Sequence, residues 1–226
     1  TDNHTLKQID KKIKSGENFI VGNKPYYKIQ LVYVGIDFDR LNYVDIKQNA
    51  FNLDFYLWFR WSGDFDMENI IFPNNQNDII LTDLRNDTNS LVKWQSFKVN
   101  GTFITKLDLR KFPYDSQKLP IFIAHKFKNG NKIQFIVDSE RIRSKIFKNL
   151  PDEWIYTGRQ DSGGTYTIDS VFGNPSYRVY EKQAPFSRIQ TDIDLTRNIF
   201  PYILNLFLPI LIVLFLSLLT FIMPKD

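Results

Sequence analysis

Few side chains in this sequence could act as nucleophile, general base or soft metal ligand: the 226 residues include no cysteine and only two histidines, His4 and His125. Disulfides and thiolate metal sites are therefore impossible, and two histidines so far apart do not compose a metal site. No cofactor is expected. Asp161-Ser162-Gly163-Gly164 reads as a hairpin turn, and no glycine-rich phosphate loop follows a strand pattern. The chain is thus not expected to be an enzyme. Net charge is +4, but the 29 basic residues are interleaved with 25 acidic ones. The nearest approach to a nucleic-acid stripe, Arg141, Arg143, Lys145 and Lys148, reads as a solvated face, so no nucleic-acid partner is expected. What remains is aromatic chemistry. Phe, Tyr and Trp make up 15% of the residues, a composition that suits a β-sandwich and recognition of small ligands. In Phe112-Pro113-Tyr114-Asp115 a proline between two aromatics fixes a rigid turn whose rings can press into a neighbouring surface.

Positioning such residues requires elements, and the plainest is a membrane span over Ile199–Met223. No residue between Arg197 and Lys225 is charged, and sixteen Leu, Ile, Val and Phe residues lie within Tyr202–Met223. A helix needs roughly 20 such residues to cross a hydrocarbon core about 30 Å thick. On the insertion scale these side chains favour the bilayer by about 5–10 kcal/mol, which outweighs Asn205, Ser217 and Thr220. Pro209 would cost about 3 kcal/mol inside a water-soluble helix, and its presence indicates a membrane helix with neighbours that re-satisfy the freed carbonyl. The partners implied at this level are a lipid bilayer and other helices.

The remainder suffices for one large domain. Leu6, Ile9 and Ile13 predict a short amphipathic helix over Thr5–Lys14. From Tyr26 the period becomes two: Tyr27, Ile29, Leu31 and Tyr33 alternate with Lys28, Gln30 and Val32, and Phe51, Leu53, Phe55, Leu57, Phe59 and Trp61 alternate with polar or aromatic residues. Such alternation is a half-buried strand. Further strands are predicted at Asp78–Thr82, Leu91–Phe97, Thr102–Leu109, Leu119–His125, Lys132–Val137, Trp154–Thr157, Tyr166–Val171 and Arg188–Leu195, separated by Asn, Gly, Asp and Pro clusters. The fold class is mainly β: an antiparallel immunoglobulin-like sandwich followed by one transmembrane helix.

The segment Thr105–Leu119, with Phe112-Pro113-Tyr114-Asp115-Ser116-Gln117 at its centre, resembles the aromatic-Pro-aromatic-Asp-x-Gln signature of the pentameric ligand-gated ion channels, or Cys-loop receptors. Where animal members carry two bracketing cysteines this chain has Thr105 and Leu119, as in the bacterial branch. Three further matches follow the family's order. Asp45-Ile46-Lys47-Gln48-Asn49 falls on the first hairpin turn and Phe55–Trp61 on the second strand. Arg197 falls on the arginine before the first membrane helix, and Tyr202, Leu206 and Pro209 fall on that helix's aromatic, aliphatic and proline positions. Phe221–Asp226 resembles the linker leaving it. The resemblance covers Tyr27–Asp226 and implies 25–197 as a ligand-binding sandwich and 198–226 as the first membrane helix and the start of the following linker, while residues 1–24 read by themselves as an N-terminal helix or linker with an upstream domain as one origin.

The resemblance implies a homopentamer in a cell (inner) membrane, with the β-domain extracellular or periplasmic and a small-molecule ligand bound between adjacent subunits. Tyr56, Trp58 and Arg60 would face the neighbour, while Thr82, Asp83, His125, Lys126 and Phe127 would form the opposing face. Tyr177, Tyr180 and Phe186 would cap the site from the hairpin between Ser170 and Ser187. Arg60 with Lys126 would favour an anionic or carboxylate ligand over an amine. At the membrane end the resemblance implies coupling through Asp45, Lys47, Phe112, Pro113, Tyr114, Asp115 and Arg197, with Asp45 and Asp115 holding the guanidinium. Some members have a second acid where this chain has Ile46. A membrane-tethered sensor or adhesion module without a channel is the alternative.

Overall fold

The structure, a computed structural model, describes residues 18–22, 24–126, 132–139, 147, 149–166 and 186–222. The predicted helix Thr5–Lys14, the basic group Arg141, Arg143, Lys145 and Lys148, and Phe127, Tyr177 and Tyr180 lie outside them. The strands, in chain order, are β1 (Asn18–Val21), β2 (Lys24–Tyr27), β3 (Gln30–Asp45), β4 (Ala50–Trp61), β5 (Ile70–Ile71), β6 (Ile80–Asp87), β7 (Lys93–Ile104), β8 (Ser116–His125), β9 (Ile133–Val137), β10 (Trp154–Tyr166) and β11 (Phe186–Arg197). They make a five-stranded sheet ordered β6-β7-β4-β3-β9, a four-stranded sheet ordered β10-β11-β8-β5, and a separate β1-β2 hairpin. The pairings between these strands are antiparallel except β3 with β9, and an isolated bridge between Arg40 and Asn149 is also parallel.

Strict alternation in β4 has the consequence expected of a period of two. Phe51, Leu53, Phe55, Leu57, Phe59 and Trp61 are buried, while Tyr56, Trp58 and Arg60 take the other face. Burial of one such side chain stabilises the fold by about 1.5–3 kcal/mol. Opposite them β8 and β11 contribute Leu119, Ile121, Ile123, Ile189, Ile193 and Leu195, closing one apolar core between the sheets. Aromatic rings fill much of it, with Phe51 and Phe103 stacked at 5.5 Å and Phe55 edge-on to Phe72 at 6.2 Å. Asn74 ties the sheets together near the membrane end: its side-chain amide donates to the Pro120 carbonyl at 2.8 Å, and its backbone carbonyl accepts from Ile104 N at 2.8 Å.

Three local expectations are corrected. In β3 the buried face is Val32, Val34, Ile36 and Phe38, whereas Ile29, Leu31 and Tyr33 are exposed. The longer aliphatic run sets the phase, and Tyr33 finds a partner outside the core in the Arg60 guanidinium, 5.2 Å from its ring centre. Leu91–Phe97 and Thr102–Leu109 are not two strands, because β7 runs unbroken through Asn100-Gly101 and the chain leaves the sheet after Ile104. Asp161-Ser162-Gly163-Gly164 is not a turn but lies within β10, paired residue for residue with Thr191-Gln190-Ile189-Arg188. As an edge strand, β10 is held by its ladder with β11, so it needs little apolar alternation.

After β11 come α1 (Phe200–Tyr202), a π-helical turn (Ile203–Phe207) and α2 (Leu208–Ile222). Phe200–Thr220 is long and apolar enough to cross a bilayer, with mean hydropathy 2.6 over its most apolar stretch. The wide turn immediately precedes Pro209, whose ring removes one backbone donor and crowds the carbonyl four residues earlier. Widening the helix at that point relieves the clash.

Candidate functional site

Antiparallel register brings the proline loop to the root of the membrane helix. Ser116, the first residue of β8, pairs with Thr196, so Asp115 stands beside Arg197, and Arg197 N donates to the Asp115 carbonyl at 3.0 Å. The side chains meet as a bidentate pair, with Nε donating to Oδ1 at 2.6 Å and Nη2 to Oδ2 at 2.9 Å. Both side chains are at most 1% exposed. The third nitrogen, Nη1, donates to the Tyr202 hydroxyl at 2.9 Å, which carries the connection into the first helical turn. Aromatic faces enclose the guanidinium: Trp154 lies 4.2 Å from it, Phe112 4.9 Å and Tyr202 5.5 Å. Phe112 also packs edge-on against Tyr202 at 5.2 Å. The Phe112–Pro113 peptide is cis.

Burial alone would raise the pKa of Asp115, but the hydrogen bonds from Arg197 and Gln117 and the Arg197 charge outweigh it and hold the carboxyl below its ordinary range. For Arg197 burial works against the charged form, and the bond and charge of Asp115 prevail, so its pKa is raised. Both directions describe a pair that stays ionised. Gln117 anchors the pair from behind. Its side-chain amide donates to Asp115 Oδ2 at 2.6 Å and to the Asp108 carbonyl at 2.8 Å, and its side-chain oxygen accepts from Asp108 N at 2.9 Å.

The first hairpin connects differently from the expected triad. Asp45 Oδ1 caps its own turn, accepting from Lys47 N at 2.8 Å and Gln48 N at 3.0 Å. Arg197 is therefore held by Asp115 and Tyr202, and Asp45 acts locally. The hairpin joins the proline loop through Asn49, whose backbone carbonyl accepts from Thr105 N at 2.8 Å and whose side-chain oxygen accepts from Leu107 N at 3.3 Å. Asn49 adopts φ +52°, a left-handed conformation that Asn tolerates well. Where the resemblance puts cysteines, Thr105 Oγ1 donates to the Lys118 carbonyl at 3.3 Å and Leu119 is buried in the core.

The residues expected to hold a ligand fall into separate groups. Tyr56, Trp58 and Arg60 share the outer face of β4. The Trp58 indole lies across Gly35, its register partner, and donates from Nε1 to Asp138 Oδ2 at 3.0 Å. Arg60 grips the same carboxylate, from Nε at 2.9 Å and from Nη2 at 2.8 Å. Asp138, 3% exposed, thus occupies the guanidinium that the resemblance offers to an anionic ligand. Thr82 and Asp83 lie exposed on the edge strand β6, where Asp83 Oδ1 accepts from Gln95 Nε2 at 3.1 Å. His125, 1% exposed and 6.3 Å from the Phe65 ring, packs in the interior, whereas Lys126 beyond it is exposed. Phe186 is half-buried against Tyr166, with ring centres 5.5 Å apart, at the last described pair of the β10-β11 ladder, opposite its Trp154–Arg197 end.

No protein-family model matches the chain. It is 27% identical over 143 residues to a proton-gated ion channel of Gloeobacter violaceus. The match spans 63% of this chain but 36% of that protein's length. The roles of Trp154 and Asp138 escaped sequence reasoning. Only strand pairing reveals them: Trp154 is the register partner of Arg197 across β10-β11, and Asp138 directly follows β9, which lies beside β3.

Proposed function

We propose that the chain is the ligand-responsive domain and first membrane helix of a pentameric ligand-gated channel subunit. The carrying observation is the buried Asp115–Arg197–Tyr202 connection, which ties the proline loop, the last strand and the membrane helix at one point. That connection gives movement of the sandwich a direct route into the helix. The ligand sits between subunits, bordered on one side by Tyr56 and Trp58 and on the other by Thr82, Asp83, Lys126, Phe127 and a lid carrying Tyr177, Tyr180 and Phe186. With Arg60 committed to Asp138, that face presents no spare guanidinium, so the bias toward an anionic ligand is withdrawn. Closure of the lid rotates the sandwich and moves the Asp45–Asn49 hairpin and the Phe112–Tyr114 loop against the membrane bundle. Such coupling requires that ligand bind one state more tightly than the other.

The test is electrical, on the full-length subunit, with acid pulses as the probe because the relative is proton-gated. Arg197→Lys keeps the charge but loses the planar fork. Together with Arg197→Ala it abolishes evoked current while protein at the cell surface stays measurable. Wild-type current from Arg197→Ala would overturn the coupling role.

A further inference from the structure

Toward the opposite end of β11 from Arg197, a half-buried arginine projects from the outer face of the four-stranded sheet. This is Arg188, whose strand neighbours Ser187 and Ile189 are the buried ones. Its guanidinium carbon lies 4.6 Å from the Phe122 ring centre and 5.8 Å from that of Tyr166, which in turn packs on Phe186. Ring faces attract a cation but offer no oxygen to its N–H donors. Among the described residues no carboxylate, carbonyl or hydroxyl accepts from this guanidinium. The acids of the same strands are engaged elsewhere. Asp161 turns to the inner face with its register partner Thr191, accepting from Arg159 Nε at 2.8 Å and Thr191 Oγ1 at 2.7 Å. Asp192 and Asp194 share Lys118 and stand about 13 and 20 Å further along β11, at roughly 3.3 Å per residue. Space adjoins the unmet donors. Across the ladders Arg188 is flanked by Gly164 on β10 and Ala124 on β8, so no long side chain crowds it from either strand. A Cβ at Gly164 would meet no described atom within 4 Å.

We infer that Arg188 is the specificity-determining residue of the ligand site, its guanidinium pairing with the carboxylate of a small ligand whose planar body lies over Gly164 against Tyr166 and Phe186. The inference rests on the proposed function, in which Lys126 and Phe186 already belong to one wall of that site. An anionic ligand thus returns on the wall opposite Arg60 and through a different residue. The chemistry fits the class: a guanidinium fork matches the two oxygens of a carboxylate, and ring faces suit a flat apolar body. An amine of the same shape would bring like charge to Arg188 and gain no hydrogen bond from it. Because Arg188 and Phe186 lie on the strand that ends at Arg197, a ligand held there acts on the element that carries the buried pair.

The probes are benzoate and benzylamine, alike in ring and opposite in charge, titrated calorimetrically into the full-length protein in detergent. Benzoate is expected to bind and benzylamine not. Arg188→Gln is expected to weaken benzoate about ten- to hundredfold, the scale of a charged hydrogen-bonded pair. Arg188→Lys, which keeps the charge without the fork, is expected to fall between. Gly164→Leu leaves the guanidinium in place and fills the gap, and it too is expected to weaken benzoate while the unfolding temperature holds. Benzoate affinity unchanged by Arg188→Gln, a preference for benzylamine, or no benzoate binding at all overturns the inference. The light-scattering mass of the same samples keeps this inference apart from the channel reading. Benzoate binding that needs Arg188 in a particle of one protomer upholds the inference and sinks the pentamer. A pentamer indifferent to benzoate sinks the inference alone.

Discussion

Arg197 loses all contact with water, so its charge must be met within the protein. A bidentate carboxylate, a phenol and three aromatic faces meet it. Removing one member of a buried pair leaves the other uncompensated, at a cost of about 3–5 kcal/mol. Arg197→Ala and Asp115→Ala should each lower thermal stability by that order, and the double variant by less than their sum, which calorimetry on the detergent-solubilised chain would detect. The pH dependence follows from the depressed folded-state pKa of Asp115. A carboxyl whose pKa falls on folding stabilises above its unfolded value and loses that contribution as pH drops through the folded one. Unfolding temperatures of wild type and Asp115→Asn should therefore stay apart across neutral and mildly acidic pH and converge only in strong acid. It follows that a response to mild acid would not originate at Asp115. Farther up the sandwich, Asp138→Ala would strand Arg60 and the Trp58 indole N–H. Because Arg60 is about a quarter exposed, the expected loss is nearer 2 kcal/mol, with Trp58 fluorescence changing in step.

Gly35 shows how one element depends on another. A Cβ at this position would lie 2.1 Å from the Trp58 ring, so Gly35→Ala must move the indole away and break its bond to Asp138. A destabilisation of about 1–3 kcal/mol is expected, and loss of the native Trp58 fluorescence would be the accompanying sign. Strands β4, β8 and β11 were legible from their sequence, because each buries one face and their apolar residues recur with a period of two. The phase of β3 was not, since tyrosine and leucine on its outer face mimic an inward row. Nor was the Asp-Ser-Gly-Gly stretch of β10, whose strand state comes from its neighbour rather than from its own residues. At the membrane end, Asp115 and Arg197 were recognisable by motif. Gln117, though inside that motif, gained its anchoring role only through contacts with Asp108, and Trp154 only through its pairing with Arg197. Side-chain direction set the limits of the rest: Asp45 turns back on its own hairpin, and His125 points inward.

Taken as a whole, the chain joins a β-sandwich to a long apolar helix through a dry, charged connection. An isolated tether has little use for such an arrangement, since any flexible linker would anchor a domain. A channel subunit would have a direct use for it, because a rigid connection would transmit displacement without swivelling. The pentamer is the central claim and its mass the most direct test. Size-exclusion chromatography with light scattering on the full-length protein in detergent, corrected for bound detergent, should give five protomers per particle. A folded particle holding one protomer, at concentrations where the sandwich is intact by circular dichroism, would contradict it.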